Sequence, residues 1–244
     1  MIWRTISALA ITILSVAALS GCGQRSETFR YRMAVEIETP QGLRTGSSVI
    51  EVRVTETGDN APVFPEASGV SSRVRGEAVV VDLPNGKVLF ALLRAPGHVG
   101  DAAGLPYAAL DPPRPKGNYD FVRQTQAMQK MERVAVLPRT LPPLAHLPER
   151  SAYPTLVTFG DIADPTSVEL VDPDNLAATF GEGTALRRIT IKITDDPVTT
   201  GIEERLEWLE HQAGTLVRRP RDTPIGNMPI EHRITEGAFW KGAS

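Results

Sequence analysis

The chain of 244 residues has a single cysteine, Cys22, and only four histidines. A lone thiol cannot form an intrachain disulfide or a thiolate metal site, so the fold depends on its core alone. No two histidines have the spacing of a helical zinc motif, and neither a Gly-x-Ser-x-Gly elbow nor a phosphate-binding glycine loop occurs. The sequence therefore predicts no catalytic, cofactor-binding or metal-binding residue. The histidines are His98, His146, His211 and His232.

An excess of basic residues is also lacking. Lys and Arg total 26 against 29 Asp and Glu, which gives a formal net charge of −3. Proteins that bind nucleic acids concentrate positive charge on one face, because contacts to the phosphate backbone dominate their affinity. The composition therefore predicts no nucleic-acid partner.

Only one long apolar run occurs, residues 5–19, and it lies between Arg4 and the small residues that precede Cys22. A helix needs about 20 apolar residues to cross a bilayer, so this run is short for a permanent span. A basic start, an apolar stretch and small residues at a cleavage site are the parts of a secretory signal. Residues 1–21 are therefore predicted to be a signal peptide.

The motif Leu19-Ser20-Gly21-Cys22 resembles the lipobox of bacterial lipoproteins. The resemblance implies cleavage before Cys22, diacylglycerol on its thiol and acylation of the freed amine, so membrane lipid is the predicted partner there. Several acyl chains anchor a protein stably, whereas one chain gives only marginal binding. Gly23 stands where aspartate favours the inner membrane, which implies a periplasm-facing domain on the outer membrane. An ordinary secretory signal and an uncleaved anchor are the alternatives.

Apolar and polar residues alternate with a period of two from Phe29 to Ile37, which indicates a half-buried antiparallel strand. A turn at Pro40-Gln41-Gly42 leads into a second alternating run, residues 43–54, and predicts a long hairpin. Pro84-Asn85-Gly86 predicts another hairpin, whose two strands are apolar on both faces and should therefore be covered on both. The two strands of that hairpin are predicted at residues 78–83 and 87–93. Four further strands are predicted at residues 133–137, 155–159, 167–171 and 186–194.

Two helices are predicted in addition. Asn118 can cap a helix over residues 119–131, whose apolar residues have helical spacing. Thr200-Gly201-Ile202-Glu203 has the spacing of a capping box, and a helix of about three turns is predicted to follow it and to end at Gly214. A single helical turn is predicted over residues 173–180, ending at Gly181.

These elements predict an α+β fold, mainly antiparallel β-sheet of about eight short strands, with two helices and long loops rich in Pro and Gly. The polar residues 22–28 are predicted to tether a single globular domain, residues 29–244. The proline-rich residues 138–154 are predicted to cross the surface in an extended form, and a domain boundary there is left open. Irregular structure is predicted for residues 55–72, 95–117 and beyond 218.

Acidic residues cluster in three loops that follow predicted strands. Carboxylates in such loops can bind Ca²⁺, which takes six to eight oxygen ligands, but the Asp-x-Asp-x-Asp-Gly run of a strong calcium motif is missing. Aspartates of this kind more often cap turns through their own side chains, so turn capping is favoured over a metal site. The residues are Asp161, Asp164, Asp172, Asp174, Asn175, Asp195 and Asp196.

Three other features have an ordinary structural interpretation. Gly46-Ser47-Ser48 lies within the first hairpin, where glycine usually marks a bulge and serine the solvent face, so no catalytic serine is predicted. Arg218-Arg219-Pro220-Arg221 is favoured as a solvated loop over a contact with anionic headgroups or peptidoglycan. His211 is predicted to end the last helix, where a cation complements the helix dipole.

The body of the chain resembles a group of uncharacterised proteobacterial proteins in residues 31–40 with 45–53, in 171–177 and in 199–203. That resemblance implies a shared fold over most of the mature chain and carries no activity. The favoured function is a non-enzymatic envelope lipoprotein that binds an unidentified envelope protein or scaffolds an assembly. One alternative is an envelope hydrolase or metal-dependent enzyme that uses the loop aspartates with His98 or His146. The other is a carrier of lipid or of a small molecule, which requires an apolar cavity.

Overall fold

The computed structural model describes residues 24–57, 69–84, 86–98, 101–115, 120–143, 149–218 and 228–242. The protein is α+β and mainly antiparallel sheet, as predicted, but the described residues form twelve strands rather than about eight. The predicted signal peptide and Cys22 lie outside the described residues. The strands are β1 (Gln24–Glu38), β2 (Arg44–Thr57), β3 (Gly69–Glu77), β4 (Val79–Asp82), β5 (Val88–Ala91), β6 (Ala135–Val136), β7 (Thr140–Leu141), β8 (Arg150–Ser151), β9 (Leu156–Phe159), β10 (Val168–Leu170), β11 (Ala185–Ile193) and β12 (Trp240–Lys241). The α-helices are α1 (Leu105–Leu110), α2 (Phe121–Gln129) and α3 (Leu176–Phe180).

A six-stranded sheet has the strand order β12-β3-β2-β1-β11-β6 and is called the large sheet below. In its centre Tyr31 of β1 pairs with Ile50 of β2 and with Ile193 of β11. Alternate side chains of β1 from Phe29 to Ile37 are buried in the main core, and those between them reach solvent. The prediction of a half-buried strand is confirmed.

The first strand begins at Gln24, so residues 24–28 belong to the large sheet and not to the predicted tether. They pair with the end of β2, from Thr57 back to Arg53. The prediction was wrong here because these residues are polar and lie beyond the core, where strand pairing leaves no apolar alternation in the sequence.

An additional strand, β3, pairs with β2 over residues 69–75, within and beyond a segment that was predicted to be a loop. Its first five residues are exposed, and Val74 is the first of its side chains to be buried. The exposed first part of β3 lacks the alternation that marks a half-buried strand, so no local pattern predicts it. The pairing of β3 with β2 places Arg73 and Arg75 on the large sheet.

A four-stranded sheet in the order β10-β9-β5-β4 forms the next layer and is called the small sheet. One of its faces, which includes Val79 and Leu89, packs in the main core against the inner side of the large sheet. The other face, which includes Phe90 and Leu92, packs in a second core. The prediction that the second hairpin is covered on both sides is therefore confirmed.

The helices α1 and α2 pack against the main core beside the small sheet. Residues 101–110, predicted to be a loop, form a 3-10 turn followed by α1, and the Tyr31 hydroxyl donates a hydrogen bond of 2.8 Å to the carbonyl of Ala102 in that turn. Six residues that begin with Leu105-Pro106 are too few to show helical periodicity. The predicted helix over 119–131 is present as the shorter α2, and its cap is Asp120; Asn118 lies outside the described residues.

Replacing Asp120 by alanine is expected to destabilise the fold by about 1 kcal/mol, the usual contribution of an N-cap. The Asp120 carboxylate accepts a hydrogen bond of 2.9 Å from the backbone N–H of Arg123 and also forms an ion pair of 2.9 Å with Arg25. Urea denaturation of both variants measures the effect. Asp120→Asn keeps a capping oxygen but removes the charge, so it should retain most of the stability. Equal losses in the two variants would contradict the capping role.

No α-helix follows Thr200; residues 202–204 form one turn of 3-10 helix, and irregular turns continue to residue 211. The predicted capping box does not form. Gly201 has a φ of 116°, and the backbone N–H groups of Gly201 and Ile202 donate to the carboxylate of Glu77, at 2.8 and 3.1 Å. A buried carboxylate from a distant strand thus accepts from the first N–H groups of this turn, where the sequence predicted a box of Thr200 and Glu203.

The residues beyond 218 were predicted to be an irregular tail, but those described, 228–242, complete the second core. Phe239 is fully buried and contacts the rings of Phe90, Phe159 and Trp208. The last strand, β12, pairs with Gly76 and Glu77 of β3. The proline-rich residues 138–154 include two short extended strands, and these pair with each other as β7 and β8, which the sequence did not predict.

Candidate binding surface

Three of the loop aspartates cap turns, as the sequence predicted. Asp161 and Asp172 each accept a hydrogen bond of 2.9 Å from the backbone N–H two residues later. Asp164 accepts from both the N–H and the hydroxyl of Thr166, and the hydroxyl in particular lowers the pKa of Asp164. Asn175 caps α3, which ends at Gly181 as predicted.

Two further aspartates form ion pairs. Asp174 pairs with Arg139, whose Nε lies 2.8 Å from Oδ1 and whose guanidinium lies 5.1 Å from the ring centre of Tyr153. Asp196 accepts from Thr194 and, at 2.8 Å, from Arg32; both bonds lower the pKa of Asp196. No group of three or more His, Cys, Asp and Glu side chains suited to a metal ion occurs among the described residues.

The histidines occupy separate places. His98 is largely enclosed, which lowers its pKa, and its Nε2 lies 2.7 Å from the carbonyl oxygen of Ala152. The Nδ1 of His232 lies 3.0 Å from the carbonyl oxygen of Arg218. His211 is exposed and does not end an α-helix, so its predicted dipole role was wrong. His146 and residues 219–221 of the basic stretch lie outside the described residues.

Gly46, Ser47 and Ser48 have three different environments. The pairing of β1 with β2 runs without a shift past Gly46, so the predicted bulge is absent, and Gly46 instead lies against the carbonyl of Val80. Ser47 is exposed, as predicted, and accepts a hydrogen bond from Arg32. Ser48 is buried and donates to the carbonyl of Glu77, at 2.8 Å, so the prediction that it faces solvent was wrong.

The solvent-accessible side of the large sheet, called the outer face below, has the greatest density of charged side chains that the described strands bring together. Strand alternation places these side chains opposite the buried ones, and neighbouring strands set them side by side in register. The charged residues that β1, β2, β3 and β11 contribute to this face include Arg30, Arg32, Glu36, Glu51, Arg53, Arg73, Arg75, Arg188 and Lys192.

Arg30, Arg53, Arg73 and Arg75 surround Glu51 on this face, and these five residues are called the basic cluster. Arg30 Nε lies 2.7 Å from Glu51 Oε2, and Arg75 Nη1 lies 3.9 Å from Oε1. The carboxylate lies deeper than its partners: the Glu51 side chain is 20% exposed, against 38% for Arg30 and 47% for Arg75. The cluster therefore presents mainly guanidinium groups to solvent.

The other half of the outer face is closer to electrical balance. Arg188 pairs with Glu36 at 2.9 Å, and Arg32 pairs with Asp196. Between these pairs lies a row of small residues, in which Ala34 of β1 is flanked by Ser47 of β2 and Thr190 of β11.

A cleft of about 220 Å³ opens where β11 leaves β1. Thr28, Arg30, Glu51 and Gln129 are among its lining residues, and the Gln129 amide donates a hydrogen bond of 2.9 Å to the carbonyl of Thr28. The polar side chains of this lining distinguish the cleft from the apolar cavity that a lipid carrier requires.

Sequence alternation alone places Arg30, Arg32 and Arg53 on the solvent side of their strands. It could not find the basic cluster, because Arg73 and Arg75 lie on the strand that was missed and the register between β2 and β3 is not a local property.

Comparison with known proteins gives no match: no protein-family model, no curated protein and no solved structure is similar to this chain. Within the described part of the chain, none of the helices combines the length and the hydrophobicity required to span a membrane. The class of protein defined here is thus an α+β domain with an open, charged sheet face.

Proposed function

We propose that this chain is a non-enzymatic lipoprotein of the bacterial cell envelope that binds its partner through the outer face of the large sheet. The observation that supports the proposal is the outer face itself. It carries a dense array of guanidinium groups, whereas Asp161, Asp164 and Asp172 cap turns and Asp174 and Asp196 form ion pairs. A rigid sheet with exposed polar side chains is suited to recognition rather than to enclosing a substrate.

The anchor in this proposal is the acylated Cys22. Since β1 begins at Gln24, only Gly23 separates Cys22 from the sheet, and the two steps of chain from residue 22 to residue 24 span at most about 7 Å. The domain is thereby held against the bilayer, on its periplasmic side and more favourably at the outer membrane. Among the described residues the enzyme and carrier alternatives have no comparable support, because His98 bonds to a backbone carbonyl and the cleft has polar lining residues; His146 lies outside them.

Replacing Cys22 by serine tests the anchor. The variant is expected to lose labelling by a palmitate analogue and to leave the fraction of membranes that the wild-type chain occupies, because the acyl chains supply the stable attachment. Ser20→Ala keeps a small residue before the cleavage site and should be labelled as the wild type is. Membrane retention of an unlabelled wild-type chain would contradict the proposal.

Photo-crosslinking in intact envelopes tests the surface. A crosslinker at Ser47 on the outer face should form adducts, with protein or with lipid, whereas one at Glu169 of the small sheet should form few. Both side chains are exposed, so accessibility is matched. Equal yields from the two positions would contradict binding through the outer face.

A further inference from the structure

The basic cluster lies near the end of the large sheet at which β1 begins. Arg53 pairs across the sheet with Thr28, four residues after Gln24, and its guanidinium reaches Ser26 with a hydrogen bond of 3.3 Å. Four residues of strand correspond to about 13 Å, so Arg53 is the charged residue of the outer face nearest to the proposed anchor. Arg25, Glu27 and Glu56 lie nearer still, but strand alternation places them on the opposite side of the sheet.

The register of the strands concentrates like charges there. Arg53 of β2 and Arg73 of β3 are direct cross-strand neighbours on the same face. The cluster holds four arginines and one glutamate, although the chain as a whole has an acidic excess. Its positive charge therefore comes from the placement of residues and not from the composition.

Resting on the proposed function, we propose that the basic cluster binds the phosphates of anionic phospholipid headgroups in the bilayer that holds acylated Cys22. Guanidinium groups form paired hydrogen bonds with phosphate oxygens, and the arginines of the cluster extend beyond the carboxylate they surround. The domain then rests on the membrane by this end of its outer face.

The distances along β1 require a particular orientation of the domain on the membrane. Arg30 lies six residues, or about 20 Å, along β1 from Gln24. Electrostatic attraction is screened over about 8 Å at physiological ionic strength. An upright sheet would keep Arg30 out of reach of the headgroups, whereas a sheet lying face-down brings the whole cluster into contact with them.

A single fluorescent probe tests this orientation in the full lipidated protein. Cys22 is the only cysteine and its thiol is acylated in the proposed form, so an introduced cysteine can be labelled alone. Ser71→Cys places the probe on the outer face beside the basic cluster, and Glu169→Cys places it on the small sheet. Energy transfer to headgroup-labelled lipid is measured in phosphatidylcholine vesicles with and without phosphatidylglycerol.

We expect stronger transfer from position 71 in phosphatidylglycerol vesicles than in neutral ones, reduced by added salt, with little change from position 169. The double variant Arg53→Glu, Arg75→Glu should lower the ratio of protein whose outer face lies on the membrane to protein whose outer face points away from it. The decrease should be at least about fivefold for each arginine, the factor expected for one basic residue near an anionic surface. Arg53→Gln with Arg75→Gln should lower it less and guards against misfolding of the reversed variant. Arg114→Glu with Lys87→Glu, an equal charge change at exposed positions outside the large sheet, should leave it unchanged.

Each outcome separates the two proposals. Transfer that is equal in neutral and anionic vesicles, or that survives both cluster variants, overturns the headgroup inference while a palmitate-labelled Cys22 leaves the proposed anchor standing. A probe at position 71 that stays remote from lipid in vesicles but becomes shielded in intact envelopes also overturns it, in favour of a protein partner. An unlabelled Cys22 overturns the proposed anchor itself.

Discussion

Gly46→Ala is expected to destabilise the protein by about 3 kcal/mol or more, at the upper end of the cost of overpacking a core. A β-carbon at position 46 would lie 1.9 Å from the carbonyl oxygen of Val80 and 2.8 Å from its carbonyl carbon. Both atoms are backbone, so no side-chain rotation relieves the clash, and β2 must separate from β4. Urea denaturation of the purified variant measures the loss as a lower midpoint.

Gly160→Ala is the matched control for this prediction. The nearest atom to a β-carbon at position 160 is the side-chain oxygen of Glu169, at 3.6 Å, an ordinary contact. We expect a change within about 0.5 kcal/mol, as for most surface substitutions. A Gly46→Ala variant as stable as this control would show that the two sheets do not approach each other as closely as described.

Glu77→Ala is expected to cost about 3 kcal/mol, because a buried donor that loses its acceptor costs about 1–3 kcal/mol. Glu77 is 3% exposed, and its two carboxylate oxygens accept from the backbone N–H groups of Gly201 and Ile202. Without these two hydrogen bonds, the segment after residue 200 is no longer attached to the end of β3. Glu77→Gln keeps one acceptor oxygen and the same shape, so its cost should be smaller, about 1 kcal/mol. Equal costs would show that the hydrogen bonds contribute little.

The same carboxyl group predicts a dependence of stability on pH. Burial is the largest effect on Glu77 and raises its pKa, the nearby charges of Glu203 and Glu204 raise it further, and the two N–H groups oppose the shift. In the folded state the group therefore keeps its proton to a higher pH than in the unfolded state. The stabilisation that it contributes is fully present below the ordinary pKa of glutamate and is lost as the pH rises through the raised pKa.

The measurement is the free energy of unfolding of the wild-type protein and of Glu77→Gln over a series of pH values. The amide does not titrate, so the advantage of the wild type should be largest at acidic pH and should shrink as the pH rises. Parallel curves would contradict a raised pKa at Glu77.

The sequence predicted the fold where local pattern determines structure. The alternation from Phe29 to Ile37 and the two-sided apolar strands of the second hairpin both correspond to strands with the expected burial. Prediction from the sequence was wrong where residues far apart in the chain determine the local structure. The segment after Thr200 has the spacing of a capping box, yet Glu77, more than a hundred residues earlier, binds its N–H groups and Gly201 adopts a conformation outside the helical region.

The candidate surface was predictable only in part for the same reason. Arg30 and Arg53 follow from alternation within their own strands, but the approach of Arg73 to Arg53 depends on a pairing between β2 and β3 that leaves no local trace. The aspartates show the opposite case. Asp161 and Asp164 bond within a few residues of themselves, so turn chemistry in the sequence was sufficient to predict their role.

The burial of Phe239 has a consequence for the order in which the domain can fold. Its neighbours Phe90 and Phe159 are synthesised long before it, and the backbone N–H groups of Ala78 and Leu93 bond to the carbonyls of Phe239 and Ala238. Contacts between such distant parts of a chain form slowly. The second core therefore cannot close on a chain that is still being synthesised, and the small sheet keeps one apolar face uncovered until the residues near 239 have been added.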